Sequence, residues 1–301
     1  MYAWMGGWAS PFPGAKGIKL MSKASFPLPG TSIFAEGLDH PECVAIHPDG
    51  SVWAGGEGGQ IYRIAPDGKK MEIVAKTGGF VLGLAFSPDA SWLAICDIKK
   101  GSLWSLDLKS GRLRERMGGM SIPNFPVFTR DGRLFVSDSG SFKKNCGKIH
   151  ILPPGKNAQG TIWHPGPIFF ANGLALSGDE KTLYVAASLL PGIERIQIRA
   201  DGSAGRRSVF VRLPRSVPDG LAFDAPGNLY VGCYAPNAIY RISPSGKASV
   251  FMDDWFGHTF SNPTNLAFRG RELFVANLGR WHLTRMKMKV AGAPLACFPL
   301  R

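Results

Sequence analysis

The sequence predicts an all-β fold, a six-bladed β-propeller of four-stranded antiparallel blades, on three observations. Six segments can be laid over one another: ECVAIHPDGSVWAG from Glu42, LGLAFSPDASWLAIC from Leu82, NFPVFTRDGRLFVSD from Asn124, NGLALSGDEKTLYVAA from Asn172, DGLAFDAPGNLYVGC from Asp219 and TNLAFRGRELFVAN from Thr264. They recur at steps of 40, 42, 48, 47 and 45 residues, the length of a repeat built from a few short strands. Inside each segment, two runs of alternating apolar and polar residues flank a short polar turn, the pattern of paired, half-buried strands.

The elements follow in order. Residues 1 to about 30 have no period and are rich in Pro and Gly, so they read as an extension or cap, leaving 31–301 for the propeller. In the first unit, VAIHP and SVWAGG are two strands separated by Pro48-Asp49-Gly50. QIYRIAP is a third, and KMEIVAKT, after Pro66-Asp67-Gly68, is a fourth. The fifth unit repeats this grammar with LAFDA, NLYVGC, AIYRIS and KASVFM. The sixth supplies only LAFR, ELFVAN and HLTRMKM. Its fourth strand must come from elsewhere, either Ser32 to Ala35 or the tail Pro294 to Phe298, because a closed ring leaves no open sheet edge.

Composition bounds the function. With 301 residues and 45% hydrophobic content the chain can bury a sizeable core, and the repeat argues for one closed domain rather than two. The net charge of +13 is compatible with anionic partners, but the densest basic groups, Lys69-Lys70, Lys99-Lys100, Lys143-Lys144 and Arg206-Arg207, are scattered along the chain. No nucleic-acid motif joins them, so nucleic acid is not an expected partner. The five cysteines form no CxxC pair and their number is odd, which points to reduced thiols and a cytoplasmic protein rather than a disulfide framework. The N-terminal stretch lacks a basic segment ahead of an apolar run, and no run reaches the roughly 20 apolar residues of a membrane span.

The first residue of each segment marks one place in six blades. In a propeller the first strand of each blade lines the central channel, so these six places converge at its top. They hold Glu42, Leu82, Asn124, Asn172, Asp219 and Thr264. Glu42, Asn124, Asn172 and Asp219 offer hard oxygen ligands without Cys or His, which suits Ca²⁺, with Mg²⁺, Mn²⁺ or Zn²⁺ as alternatives. Two carboxylates in a narrow channel repel one another, and a divalent ion removes that cost. Four protein ligands out of the roughly 6–8 that Ca²⁺ takes leave positions for water and substrate. The ion could then polarise a carbonyl or activate a bound water.

These segments resemble those of the SMP-30/gluconolactonase/LRE family, also called regucalcin-like, over roughly residues 35 to 290. Pro41-Glu42-Cys43 stands where the family has its EGP or ESP turn, and Pro123-Asn124-Phe125 matches its PND turn. Asn172-Gly173-Leu174 matches NGL, followed by SGDEKTLYV; Pro218-Asp219-Gly220 matches PDG, followed by LAFDAPGNLYVGCY. The resemblance implies that Glu42, Asn172 and Asp219 bind a divalent ion, that Asn124 contacts ligand or metal, and that Asp219 is also the general base of lactone hydrolysis.

Two departures shift the expected substrate. Sugar-lactone members often carry Arg two residues before the PND asparagine, where this chain has Ile122, and the following Asp is Phe125. Phe80, Met120, Phe169, Phe170, Tyr234, Phe260 and Trp281 are further apolar or aromatic residues expected near the mouth. A sugar lactone needs hydrogen-bond partners there, so the pattern predicts a less polar lactone or ester. Ile122, Phe80, Phe170, Tyr234, His258, Phe260 and Trp281, with Asn124, form the expected substrate-binding set. His40, two residues before Glu42, is a further acid or base candidate, and Asp138 is expected behind Asn124 to orient it. No GxSxG elbow supports a serine nucleophile. The alternatives are a strictosidine-synthase-like propeller enzyme with a non-hydrolytic reaction, and a non-enzymatic propeller that binds metal or ligand.

Overall fold

A computed structural model describes residues 27–155 and 158–297. Twenty-four strands form six separate four-stranded antiparallel sheets. Blade 1 comprises β2 (Val44–Ile46), β3 (Val52–Gly55), β4 (Gln60–Ile64) and β5 (Met71–Lys76); blade 2, β6 (Val81–Phe86), β7 (Trp92–Asp97), β8 (Ser102–Asp107) and β9 (Leu113–Met117). Blade 3 has β10 (Pro123–Phe128), β11 (Leu134–Asp138), β12 (Gly147–Leu152) and β13 (Thr161–Ile168); blade 4, β14 (Ala171–Leu176), β15 (Thr182–Ala187), β16 (Gly192–Ile198) and β17 (Ala204–Arg212). Blade 5 has β18 (Val217–Phe223), β19 (Leu229–Ala235), β20 (Ala238–Ile242) and β21 (Ala248–Asp253). Blade 6 joins β22 (Pro263–Arg269), β23 (Glu272–Asn277) and β24 (His282–Lys287) to β1 (Thr31–Glu36) as its outer strand.

The ring therefore closes with the N-terminal strand, Thr31 pairing with Met286 and Glu36 with His282. The rival for that slot, Pro294 to Phe298, is corrected: Pro294–Cys297 line the lower channel instead, and Phe298 lies outside the described residues. Ala293 donates to the Phe223 carbonyl and the Cys297 thiol lies 3.9 Å from that of Ile46, so the tail is fastened to two inner strands rather than to a sheet edge. Of the extension expected over residues 1–30, all up to residue 26 also lies outside the described residues.

The turns at the lower end explain why the repeat is so plain. Asp49, Asp67, Asp89, Asp131, Asp179 and Asp201 each accept the backbone N–H two residues on, a local device that fixes a tight turn wherever it is written. Between blades, apolar clusters fill every interface; Ile61, Leu93 and Ile95 join blades 1 and 2, and Phe135, Leu183 and Val185 join blades 3 and 4. All five cysteines are free and four are buried; burial pushes the Cys233 thiol up to about 12, as expected of packing residues rather than reactive ones.

Candidate functional site at the head of the channel

The residues that open the repeats lie where the first strand of each blade departs from regular pairing. The ladder shifts register between Pro123 and Pro126, Ala171 and Leu174, Pro218 and Leu221, and Pro263 and Leu266, so Asn124, Asn172, Asp219 and Thr264 all sit inside irregularities. A bulge re-aims a side chain that a regular strand would commit to packing. In blade 1 the ladder begins only at Val44, after Glu42. The next residue along is glycine in blades 4 and 5 because the neighbouring blade is too close for a side chain. A Cβ on Gly173 would stand 2.3 Å from the Asp219 carbonyl oxygen, and one on Gly220 would stand 2.5 Å from the Asn265 Cα.

Glu42, Asn124, Asn172 and Asp219 are each at most 5% exposed. One oxygen of each, Glu42 Oε2, Asn124 Oδ1, Asn172 Oδ1 and Asp219 Oδ1, is buried without a hydrogen-bond partner. Each such oxygen forfeits its hydration; six others occur among the described residues, and what sets these four apart is their equivalent place in the repeat. The amides are held so that their oxygens must stay unpaired. Asn124 Nδ2 donates to Ser139 Oγ at 3.1 Å, and Ser139 in turn donates to the Ala171 carbonyl; Asn172 Nδ2 donates to Ser188 Oγ at 3.2 Å, and Ser188 donates to the Pro218 carbonyl. With its NH₂ committed, each amide presents its oxygen unpaired.

Burial raises Glu42 well above the ordinary carboxylate range, and the nearby Asp219 charge adds to that. Burial likewise lifts Asp219 to about 7, partly offset by the Asn172 side chain beside it. Among the described residues neither carboxylate has an ion-pair partner. Two buried acids and two buried carboxamide oxygens fit the donor requirements of a hard divalent ion. A different group, Asp39, His40 and Glu57, lies nearer the surface on blade 1, where the His40 ring pairs with both acids. His40 is thus engaged outward, its ring 5.4 Å from that of Trp281.

The expected substrate residues separate into three groups. Ile122 and Phe170 come together with Leu82 in one apolar cluster, with Phe80 and Ile98 packed against it. The Phe142 ring lies tilted against that of Phe170, centroids 4.5 Å apart, and extends this wall outward. Tyr234, Trp281 and Phe169 are exposed, as is His258, which lies over the Phe256 ring. Phe260 and Met120 are corrections: Phe260 is fully buried beside Tyr230, Ile239 and Leu266, and Met120 is packed with Leu103 and Leu134, so both serve the core. Their chain positions beside the mouth are as expected, but loop closure turns their side chains under.

Asp138 accepts from the backbone N–H groups of Ser121, Ile122 and Gly140. Burial opposes its charge, but those amides and His150 at 3.7 Å outweigh burial and hold it at about 2. It fixes the loop that leads into Asn124 rather than touching the amide. Three further residues had no signal in the first position of the repeat. Ser139 and Ser188 stand one place beyond the end of the second strands, and could have been found only by asking what a channel asparagine needs for its NH₂. Asn265 donates to the carbonyls of Glu42 and Leu82 and stitches blade 6 to blades 1 and 2.

Residues 119–277, just over half of the chain, match the family model of the SMP-30/Gluconolactonase/LRE-like region, and residues 31–64 match that of the strictosidine synthase-like N-terminal region. Adipocyte plasma membrane-associated protein Hemomucin of Drosophila melanogaster is 26% identical over 246 residues, 70% of this chain but 42% of its own length. The chain therefore spans less than half of that relative. Lactonase drp35 of Staphylococcus saprophyticus is 23% identical over 226 residues, 58% of this chain and 69% of its own. The crystal structure of a calcium-binding protein, regucalcin, from Agrobacterium tumefaciens superimposes with a TM-score of 0.71 at 18% identity, covering 89% of this chain and 99% of that one, a likeness of fold.

Proposed function

Because the chain belongs to the SMP-30/gluconolactonase/LRE-like family, we propose that it is a divalent-cation-dependent hydrolase of a lactone or related ester less polar than a sugar lactone. The observation that carries this is the set of four buried, unpaired oxygens on Glu42, Asn124, Asn172 and Asp219. The lactonase and calcium-binding names among its relatives and fold neighbours agree with it.

Glu42, Asn172 and Asp219, with Asn124 beside them, would hold the ion, most suitably Ca²⁺; when bound it supplies a positive charge that polarises a substrate carbonyl oxygen. The chain's own residues do the rest. Asp219 would accept a proton from the attacking water and return it to the departing alkoxide. Ser139 and Ser188 keep the amide oxygens facing the ligand. The cluster of Leu82, Ile122 and Phe170 offers the acyl or ring carbons a dry wall and provides no donor for sugar hydroxyls, which is the basis for the less polar substrate.

The test is turnover of a panel of aliphatic, aromatic and sugar lactones, with chelator and with Ca²⁺ restored. Cation-dependent hydrolysis that favours the apolar lactones is the expected result. Equal rates with and without chelator would sink the cation, and a preference for the sugar lactones would sink the apolar wall. The strictosidine-synthase-like reading draws on the match at residues 31–64 and on Protein STRICTOSIDINE SYNTHASE-LIKE 6 of Arabidopsis thaliana, 24% identical over 216 residues, and the paired carboxylates weigh against it. Bound cation without turnover of any lactone or ester would favour the non-enzymatic propeller.

A further inference from the structure

The loops that join second to third strands, and each blade to the next, all emerge at the end of the ring that holds the mouth. Among the described residues, half of the large hydrophobic residues that stand exposed lie there, seven of fourteen, and they include the four most exposed: Trp255 at 86%, Phe142 at 67%, Phe256 at 63% and Trp281 at 56%. Single exposed apolar residues need no explanation, but a rim of aromatics on one face does.

The most prominent pair is held out rather than left loose. Trp255 and Phe256 occupy the loop between β21 and β22. Asp254, itself buried, accepts the backbone N–H groups of Gly257, Thr259 and Phe260, which ties the loop's return limb under the tip. Gly257 turns the chain at φ +65°, and Arg280 of the neighbouring loop donates twice to its carbonyl. A braced tip carrying Trp and Phe in water is an arrangement whose favourable partner is an apolar phase.

The charge on the same face identifies that phase. Lys99 and Lys100 project from the β7–β8 loop, and Lys143 and Lys144 from the β11–β12 loop beside Phe142; all four are exposed. Half-buried Asp39 and exposed Glu57 are both paired with His40. Two of the four basic pairs dispersed along the sequence are thus gathered on one face and interleaved with aromatics, the pairing that suits an interface of apolar chains beneath anionic headgroups.

We propose that the mouth-bearing face, through Trp255, Phe256, Phe142 and the lysines at 99, 100, 143 and 144, docks peripherally on an anionic lipid bilayer. Docking places the channel mouth against the bilayer surface. It does not depend on the hydrolase reading, because binding is measured without turnover.

The test is cosedimentation of the full chain with vesicles of phosphatidylcholine alone and of phosphatidylcholine containing phosphatidylserine. Binding is expected to the anionic vesicles, weakening steeply as salt is raised. Lys143→Ala with Lys144→Ala should lower the partition coefficient roughly 30-fold at low salt. Trp255→Ser with Phe256→Ser should lower it at least about tenfold and abolish the fluorescence quenching by brominated acyl chains seen in the parent. Thermal melts and turnover of a water-soluble lactone, read alongside, should match the parent in both variants. The proposal is overturned if the parent stays in the supernatant with both vesicle types or if the aromatic double variant sediments like the parent. It is equally overturned if sedimentation velocity shows the tip joining two copies of the chain instead.

Discussion

The same six inner strands build two unlike places. At their upper ends Glu42, Asn124, Asn172 and Asp219 bring four unpaired oxygens into a buried site. A few residues lower, the strands enclose a cavity of about 180 Å³, lined by such residues as Leu84, Phe128, Leu174 and Leu266 and crossed by Ala293–Cys297. None of the four oxygen-bearing residues lines it. The lower half is ordinary propeller packing, in which regular pairing commits side chains to the core. The upper half breaks pairing in every blade that supplies an amide or Asp219, and spends buried polarity that packing alone would never retain. In blades 3, 4 and 5 the bulge frees one side chain from regular packing, and that side chain presents an oxygen.

The sharpest way to break this contrast is to remove the proposed base, Asp219. Asp219→Ala, and less drastically Asp219→Asn, should lower kcat for a lactone by at least about 100-fold. Far-ultraviolet circular dichroism and the urea midpoint should show an intact fold, because one buried unpaired charge leaves with the side chain. A variant retaining the parent rate would show that the upper site is merely a structural oddity.

The next effect is on stability rather than rate. Burial makes the folded state hold the Asp219 proton more tightly than the unfolded chain does, with a value of about 7 against 3.8, and Glu42 shifts in the same direction. For acids shifted upward, the folded state binds more protons in this window, so stability is lost as pH rises from roughly 4 to 7. Without cation the protein should therefore melt at lower temperature at about pH 8 than at about pH 5. Added Ca²⁺ should restore the melting point at the higher pH and do little at the lower. Asp138 works in a separate window: held at about 2, it contributes stability that is lost only as pH falls below its ordinary value of 3.8. A melting point that rises with pH across 5 to 8 in the presence of chelator would contradict the site's electrostatics.

The two halves also differed in how legible they were. The lower turns could be read because each is local, an Asp accepting from its own loop. The four oxygen residues could be read because they hold one fixed offset in a repeat that fixes their height in the ring. Ser139 and Ser188 could not, since their role depends on which residue of the second strand closes against an asparagine on the first. Phe260 and Met120 occupy loop positions indistinguishable in sequence from Phe169 or Trp281, and only the path of the loop decides that the former turn inward and the latter outward. The lysines at 99, 100, 143 and 144 are more than forty residues apart in pairs, yet equivalent loops of adjacent blades bring them to one face. A count along the chain cannot see that.

The serine anchors give a smaller and more specific effect. Ser139→Ala and Ser188→Ala each remove the acceptor that pins an amide NH₂, so Asn124 or Asn172 can turn its oxygen away from the site. Cation affinity measured by calorimetry should fall on the order of tenfold to 100-fold per substitution, while stability without cation falls only by about 1 kcal/mol. If affinity is unchanged and only stability falls, the serines hold the blades together and do nothing for the site.

The smallest expected effect tests the lower half alone. The cavity wall carries Ala45, Ala85, Ala175, Ala222 and Ala267 at one equivalent place in five blades, and Val127 in the sixth. Ala222→Val copies the blade 3 residue into blade 5, adding two methyl groups beside an existing void on a strand that favours branched side chains. The urea midpoint should rise by an amount corresponding to about 0.5–1 kcal/mol, with kcat and cation affinity unchanged. A loss of stability would mean that the void is too narrow where Ala222 meets it and that overpacking dominates. A change in cation affinity would mean that the two halves of the channel are mechanically coupled through the inner strands, and that the boundary between packing and chemistry is not set at the bulges.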